Sequence, residues 1–207
     1  RLVSLRNADA RVVAFRVVFD AGSADDPAGR EGLTNLVGSL VAEGGTAELT
    51  YPQLLDALYP MAAEIRVFVD RDETLFEAEV PRAALDAFYP LFRDVILAPR
   101  FDADGFARVK AHAAAALDDL RSANDEALGK EALHALVYEG HPYGHPPIGT
   151  DRGIASSTLD DARAHRRRIF CRERIEIGVA GGFPEGFDRK VSDELLNGTP
   201  ECPAARA

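Results

Sequence analysis

The chain has 207 residues, enough for one large domain or two small ones with a substantial core and no need of a metal or a disulfide. A composition of 46% hydrophobic and 28% charged residues excludes a disordered or low-complexity protein. Acidic residues outnumber basic ones by 34 to 24, a formal charge of −10, and such a surface repels phosphate backbones, which argues against nucleic acid as a partner.

Residues 11–21 are β-branched and aromatic without a breaker and predict a strand, ended by Gly22, Ser23 and the Asp25-Asp26-Pro27 turn. From Gly32 the spacing becomes helical, with Leu33, Leu36, Val37, Leu40 and Val41 on one stripe and Gly44-Gly45 as the stop. Thr50 is placed to cap a short helix carrying Pro52 in its first turn. Residues 63–70 alternate, with Ile65, Val67 and Val69 on one face and Glu64, Arg66 and Phe68 on the other. Residues 73–80 alternate in turn, so the two predict an antiparallel hairpin about Arg71-Asp72.

Helices are expected over 82–97, where Pro90 should kink or restart the chain, over 103–123 and over 125–138. A loop rich in Gly, Pro and His follows at 139–150. Thr158 then opens a long helix, followed by a strand at 174–180 and a last helix, and residues 198–207 read as linker or tail. Strands neither regularly alternating with helices nor all together predict an α+β fold, a mainly antiparallel sheet with helices packed on it, in one domain over 1–197. No apolar run reaches the length of a membrane span. The chain starts at Arg1 rather than Met, as expected of a fragment or of a protein that has lost a leader.

Several side chains invite chemical readings that their surroundings weaken. Arg166-Arg167-Arg168 sits late in a predicted helix, where cations complement the negative helix end better than they announce an anion site. His141 and His145 are four apart, but Pro142, Pro146 and Pro147 exclude the helix that would bring them onto one face. His112 reads as a packing or solvent-edge residue, and Asp118-Asp119 as a solvated helix face. Cys171 and Cys202 fit no metal motif and no redox pair, and whether they are bonded to each other is left open, as is the compartment.

Five segments in order resemble one peptidase family: FDAGSADDPAGREGL at 19–33, AEGGT at 42–46, DRDETLFEAEV at 70–80, YEGHPYGHPPIGT at 138–150 and IEIGVAGGF at 175–183. Together they resemble the pitrilysin/insulinase metallopeptidases, which include the mitochondrial processing peptidases and their bacterial relatives. Active members carry H-x-x-E-H on the helix after the AGS turn, two histidines on one helix face for zinc and a glutamate as base. A glutamate from a later helix completes that site.

Laid on this chain, the motif falls on Asn35, Gly38 and Ser39, and the later glutamate falls near Asp119. Amide and hydroxyl oxygens are poor zinc ligands beside imidazole and carboxylate, and glycine cannot take a proton. The resemblance therefore implies a non-catalytic half-domain, without the zinc of its active relatives, paired as a heterodimer with a second half-domain or catalytic subunit. It also implies peptide held as an added strand, with Glu64, Arg66 and Phe68 as contacts, and a bacterial setting leaning to the periplasm. An active zinc peptidase using other ligands such as the loop histidines, and a family-derived assembly protein without proteolytic role, are the alternatives.

Overall fold

In the computed structural model, which describes residues 1–123 and 125–203, five strands form one sheet. They are β1 (Leu2–Arg6), β2 (Val12–Phe19), β3 (Glu64–Val69), β4 (Thr74–Pro81) and β5 (Ile175–Gly181). The spatial order is β1-β5-β2-β4-β3, with β1 and β3 at the edges. Only the β1–β5 pair is parallel, Leu2 opposite Ile177, so the sheet is mainly antiparallel as the sequence predicts. The β3–β4 hairpin closes where expected, Asp70 N–H donating to the Glu73 carbonyl at 2.9 Å.

The helices are α1 (Leu33–Glu43), α2 (Tyr51–Leu58), α3 (Leu85–Leu97), α4 (Ala103–Ser122), α5 (Asp125–Val137), α6 (Asp151–Ser156), α7 (Leu159–Ile169) and α8 (Phe187–Gly198). One face of each central strand is dry: Val13, Phe15, Val17 and Phe19 of β2, Phe76, Ala78 and Val80 of β4, Ile175, Ile177 and Val179 of β5. Against that face α1 packs on β3, α3 on β4 and α8 on β5, the arrangement an α+β layer requires. Phe15 lies at the centre, 5.2 Å from the Phe92 ring and 5.8 Å from Phe88.

Local chemistry sets several boundaries. Gln53 accepts from the Thr50 N–H at 2.9 Å at the start of α2, and Asp102 accepts from the Gly105 N–H at 2.8 Å at the start of α4. Pro90 does not restart its helix: α3 runs through it as one element, preceded by a 3-10 turn at Arg82–Ala84. Two elements go beyond the sequence expectation. β1 forms by pairing with a strand more than 170 residues away in the chain, and α6 is six residues long, capped by the Thr150 hydroxyl accepting from the Gly153 N–H at 3.0 Å.

The segment after α8 lies against the α7–β5 connection. Thr199 is buried, Arg172 N–H donates to the Pro200 carbonyl at 2.8 Å, and Cys171 and Cys202 form a disulfide with Cα atoms 4.9 Å apart.

Candidate functional site

Helix α1 is held at its start by a buried polar network. Asp26 accepts from the N–H groups of Gly32 at 2.6 Å and Thr34 at 2.7 Å, satisfying donors that a helix start leaves free. The Thr34 hydroxyl donates to the same carboxylate at 2.7 Å and lies 2.7 Å from His165 Nε2 on α7. Since that hydroxyl proton goes to Asp26, His165 must carry its own proton on Nε2, leaving Nδ1 to accept from Arg168 at 3.1 Å. Burial, with the Arg168 charge second, pushes His165 down to about 4, so the ring is neutral near pH 7. Burial raises the Asp26 carboxyl against the opposing pull of its hydrogen bonds to Thr34 and Gly32.

Downstream on α1 lie Asn35, Gly38 and Ser39. Gly38 is buried, whereas Asn35 and Ser39 are half-buried. A Cβ built on Gly38 would meet Val69 Cγ2 at 3.0 Å and Val67 Cγ2 at 3.2 Å, both on β3. The helix therefore approaches the strand as closely as a missing side chain permits, and the space above residue 38 is taken by valine methyls. Valine has little rotamer freedom with which to yield. Gly38→Glu should accordingly destabilise by roughly 1–2 kcal/mol, overpacking outweighing the better helix propensity of glutamate. Urea unfolding of that variant measures it, and a midpoint at or above wild type would refute the crowding.

β3 is an edge strand, its outer side paired with no other strand among the described residues. Glu64, Arg66 and Phe68 are its exposed residues, with Phe68 at 52%, while Ile65, Val67 and Val69 are half-buried towards α1. Arg66 is tied to Glu77 of β4 at 2.9 Å. Phe68 is an aromatic side chain at an open sheet edge.

Asp119 is exposed on α4 and lines a groove of about 710 Å³ with Leu120, Ala127, Glu131 and Ile148; Asn35, Gly38 and Ser39 do not line it. The loop histidines have local partners. His141 Nδ1 accepts from the Tyr143 N–H at 3.2 Å, and its ring meets the Tyr143 ring edge-on at 4.8 Å. His145 Nδ1 lies 3.0 Å from the Pro146 carbonyl. Among the described residues, the one trio of His, Cys, Asp or Glu gathered closely enough for a metal is Cys171, Glu173 and Cys202, whose two sulfurs are bonded to each other. His112 is exposed, with Nδ1 3.7 Å from Glu43.

The basic run on α7 divides its work. Arg166 donates to the Ile96 and Leu97 carbonyls at 3.2 and 3.1 Å, so it complements the end of α3 rather than that of its own helix. Arg168 turns the other way, to the Asp25 carbonyl and to His165.

The segments that carry the family resemblance meet in space. The turn after Ala21 docks on the hairpin, Ser23 N–H donating to the Asp70 carbonyl at 2.9 Å. Gly149, at φ 103°, brings its backbone against Glu31 so closely that a Cβ would lie 2.3 Å from the Glu31 carbonyl oxygen. A profile of the family described as insulinase (peptidase family M16) matches residues 1–151. The chain belongs to that family. Among M16 relatives, it is 26% identical over 174 residues to an uncharacterized zinc protease of Mycobacterium leprae, covering 83% of this chain and 38% of that protein. It is 21% identical over 191 residues to an uncharacterized zinc protease of Bacillus subtilis, covering 92% and 46%. The crystal structure of a peptidase M16 inactive domain from Pseudomonas fluorescens superimposes with a TM-score of 0.86 at 22% identity, covering 99% of this chain and 49% of that one. The M16 chain thus spans less than half the length of each of these proteins, and its fold is that of an M16 half-domain.

The sequence alone did not single out Asp26, Thr34 and His165. Their one local signal is Asp-Pro before a helix, an N-terminal cue that names neither the threonine nor a histidine 131 residues further on.

Proposed function

We propose that this chain is a non-catalytic half-domain of an M16 peptidase, which pairs with a zinc-bearing half and helps to hold peptide in the chamber between them. The observation that carries the reading is the helix position of Asn35, Gly38 and Ser39. In place of two imidazoles and a carboxylate stand an amide, a bare backbone and a hydroxyl, with the space at residue 38 closed by Val67 and Val69. Those residues do not fit the zinc centre of the active relatives, so no step of peptide hydrolysis is assigned to them. What the chain offers instead is the open edge of β3. Its unpaired backbone groups can hydrogen-bond an extended peptide, with Glu64, Arg66 and Phe68 flanking it. The inactive domain of Pseudomonas fluorescens supports this reading through its fold. The Cys171–Cys202 bond fits an oxidising compartment such as the periplasm.

Two measurements test the proposal. Elemental analysis of protein purified without chelator should find well under one zinc per chain; about one zinc, lost on mutating His141 or His145, would overturn it in favour of an active site on the loop. Sedimentation with a co-encoded M16 half carrying an intact H-x-x-E-H should give a heterodimer whose peptide cleavage exceeds that of the zinc-bearing half alone. An unchanged cleavage rate beside a monomeric chain would leave an assembly role instead. Restoring the motif by Asn35→His, Gly38→Glu and Ser39→His should permit metal binding but little turnover, because the later ligand position holds at best the shorter Asp119, exposed in a groove that residues 35, 38 and 39 do not line. Robust hydrolysis by that triple variant would refute this expectation.

A further inference from the structure

The cleft beside the start of α1 is unlike the rest of this acidic protein. It has a volume of about 640 Å³ and lies between residues 27–30, α6 and α7. Arg30, Arg152 and Arg168 line it, opposed by one lining carboxylate, Asp161. The local balance is thus two positive charges in excess on a chain of net charge −10.

The three arginines are not equally engaged. Arg30 pairs with Asp161 at 3.1 Å, and that carboxylate also accepts from the Thr158 N–H and hydroxyl at 2.9 and 2.7 Å. Arg168 is fixed by neutral partners, the Asp25 carbonyl and His165 Nδ1, and forms no ion pair among the described residues. Arg152 is exposed and likewise forms none. Surface guanidinium groups in an acidic protein readily find carboxylates, as Arg121 finds Asp151 and Arg174 finds Asp25 close by. Two that face one cleft without any leave a positive field.

From this arrangement we propose that the cleft binds a small phosphate-type dianion. Arg152 and Arg168 supply the charge that matches it, and Arg30 supplies a third donor shared with Asp161. A guanidinium presents paired N–H donors that suit tetrahedral oxyanions, and a dianion rather than a single carboxylate balances the two uncompensated charges. Gly29 leaves the rim open, a Cβ there meeting nothing within 4 Å. The cleft is larger than one phosphate, so the ligand is either free phosphate or the phosphate of a small monoester. Leu33, the first residue of α1, lines the same cleft, so a bound anion is linked to the helix that carries Asn35 and Gly38.

The test is calorimetric titration of the whole chain with inorganic phosphate and, separately, with glycerol phosphate, with ionic strength held constant by chloride. The expected result is saturable binding at one site per chain. Arg152→Ala should weaken it about tenfold and Arg152→Lys by less, while Arg189→Ala on the remote helix α8 leaves it unchanged. Tighter binding of the ester identifies a phosphorylated small molecule as the ligand; equal binding identifies phosphate itself. Among the described residues Arg152 has no ion-pair or hydrogen-bond partner to lose, so its variant should keep the wild-type melting temperature without ligand. Absence of saturable binding, or equal losses in Arg152→Ala and Arg189→Ala, would overturn the proposal.

Discussion

Cys202→Ala should lower the unfolding free energy of the oxidised protein by roughly 3–4 kcal/mol, and its melting temperature by about 7–14 °C for a domain of this size. The bond closes a loop with a sequence separation of 31, and the loop-entropy relation gives about 3.7 kcal/mol for that length. Position 202 is the informative one to change. Cys171 is fully buried, next to Phe170, which stacks on Phe19 at 4.6 Å, so trimming it would open the core as well as break the bond. Cys202 is only half-buried, and the contacts around it survive its loss: the Arg172 N–H on the Pro200 carbonyl at 2.8 Å and the Arg172 Nε–H on the Thr199 carbonyl at 3.3 Å. The native structure is then nearly unchanged, and the effect is read from the freed unfolded chain. The enclosed segment holds β5, which pairs with both β1 and β2, so the constraint acts on the middle of the sheet. Thermal unfolding with and without reductant supplies the comparison. Wild type under full reduction should match Cys202→Ala, and a variant melting with the oxidised wild type would show that the bond contributes nothing.

What the sequence discloses follows the range of the forces involved. The stripe of Leu33, Leu36, Val37, Leu40 and Val41 is a local pattern, and all five residues are buried. The 63–70 and 73–80 hairpin is equally local, and the exposed set Glu64, Arg66 and Phe68 follows from period two alone. β1 was not legible, because Leu2–Arg6 is a strand only by virtue of a partner at Ile177–Gly181; Val3 and Leu5 are themselves exposed. α6 has too few residues to display a period.

The candidate site divides in the same way. The positions of Asn35, Gly38 and Ser39 were legible, since four-residue spacing on one helix is a local fact. That Val67 and Val69 fill the space over Gly38 was not, because it depends on how near β3 lies to α1. Asp119 comes from the family resemblance alone, and which groove it lines depends on how α4 and α5 pack. Arg166 shows the limit of the helix-dipole rule: it sits in the last turn of α7, but the helix end it serves belongs to α3.

Stability should fall as the pH is lowered from about 6.5 towards 4, through His165. The ring is 2% exposed and titrates near 4 in the folded chain, against 6.5 when unfolded. Above pH 6.5 neither state binds the proton, and His165 contributes no pH dependence. Between 6.5 and 4 the unfolded chain takes the proton and the folded chain does not, so protonation favours unfolding. The cost grows to roughly 2 kcal/mol by pH 5 and to on the order of 3 kcal/mol at pH 4, where it levels off. Asp26 works in the opposite sense. Its folded carboxyl is raised by burial, so it takes a proton before its unfolded counterpart does, and this offsets part of the loss at the acidic end. Glu31 and Asp102 are lowered: burial acts against the Glu31 shift and the Gly29 N–H bond drives it, while the Gly105 N–H bond drives that of Asp102. Stability from both is lost only below their unfolded values of 4.5 and 3.8. From pH 7.5 to 5 those two add nothing, and comparison with His165→Gln separates the histidine from Asp26. Urea unfolding across that range should show stability falling more steeply on acidification in wild type than in His165→Gln, whose amide can still donate to Thr34 and accept from Arg168. That variant is expected to be less stable at pH 7.5, but the slope rather than the level carries the argument. A wild type whose pH dependence runs parallel to that of His165→Gln from pH 7.5 to 5 would mean that the proton is taken up somewhere other than at His165.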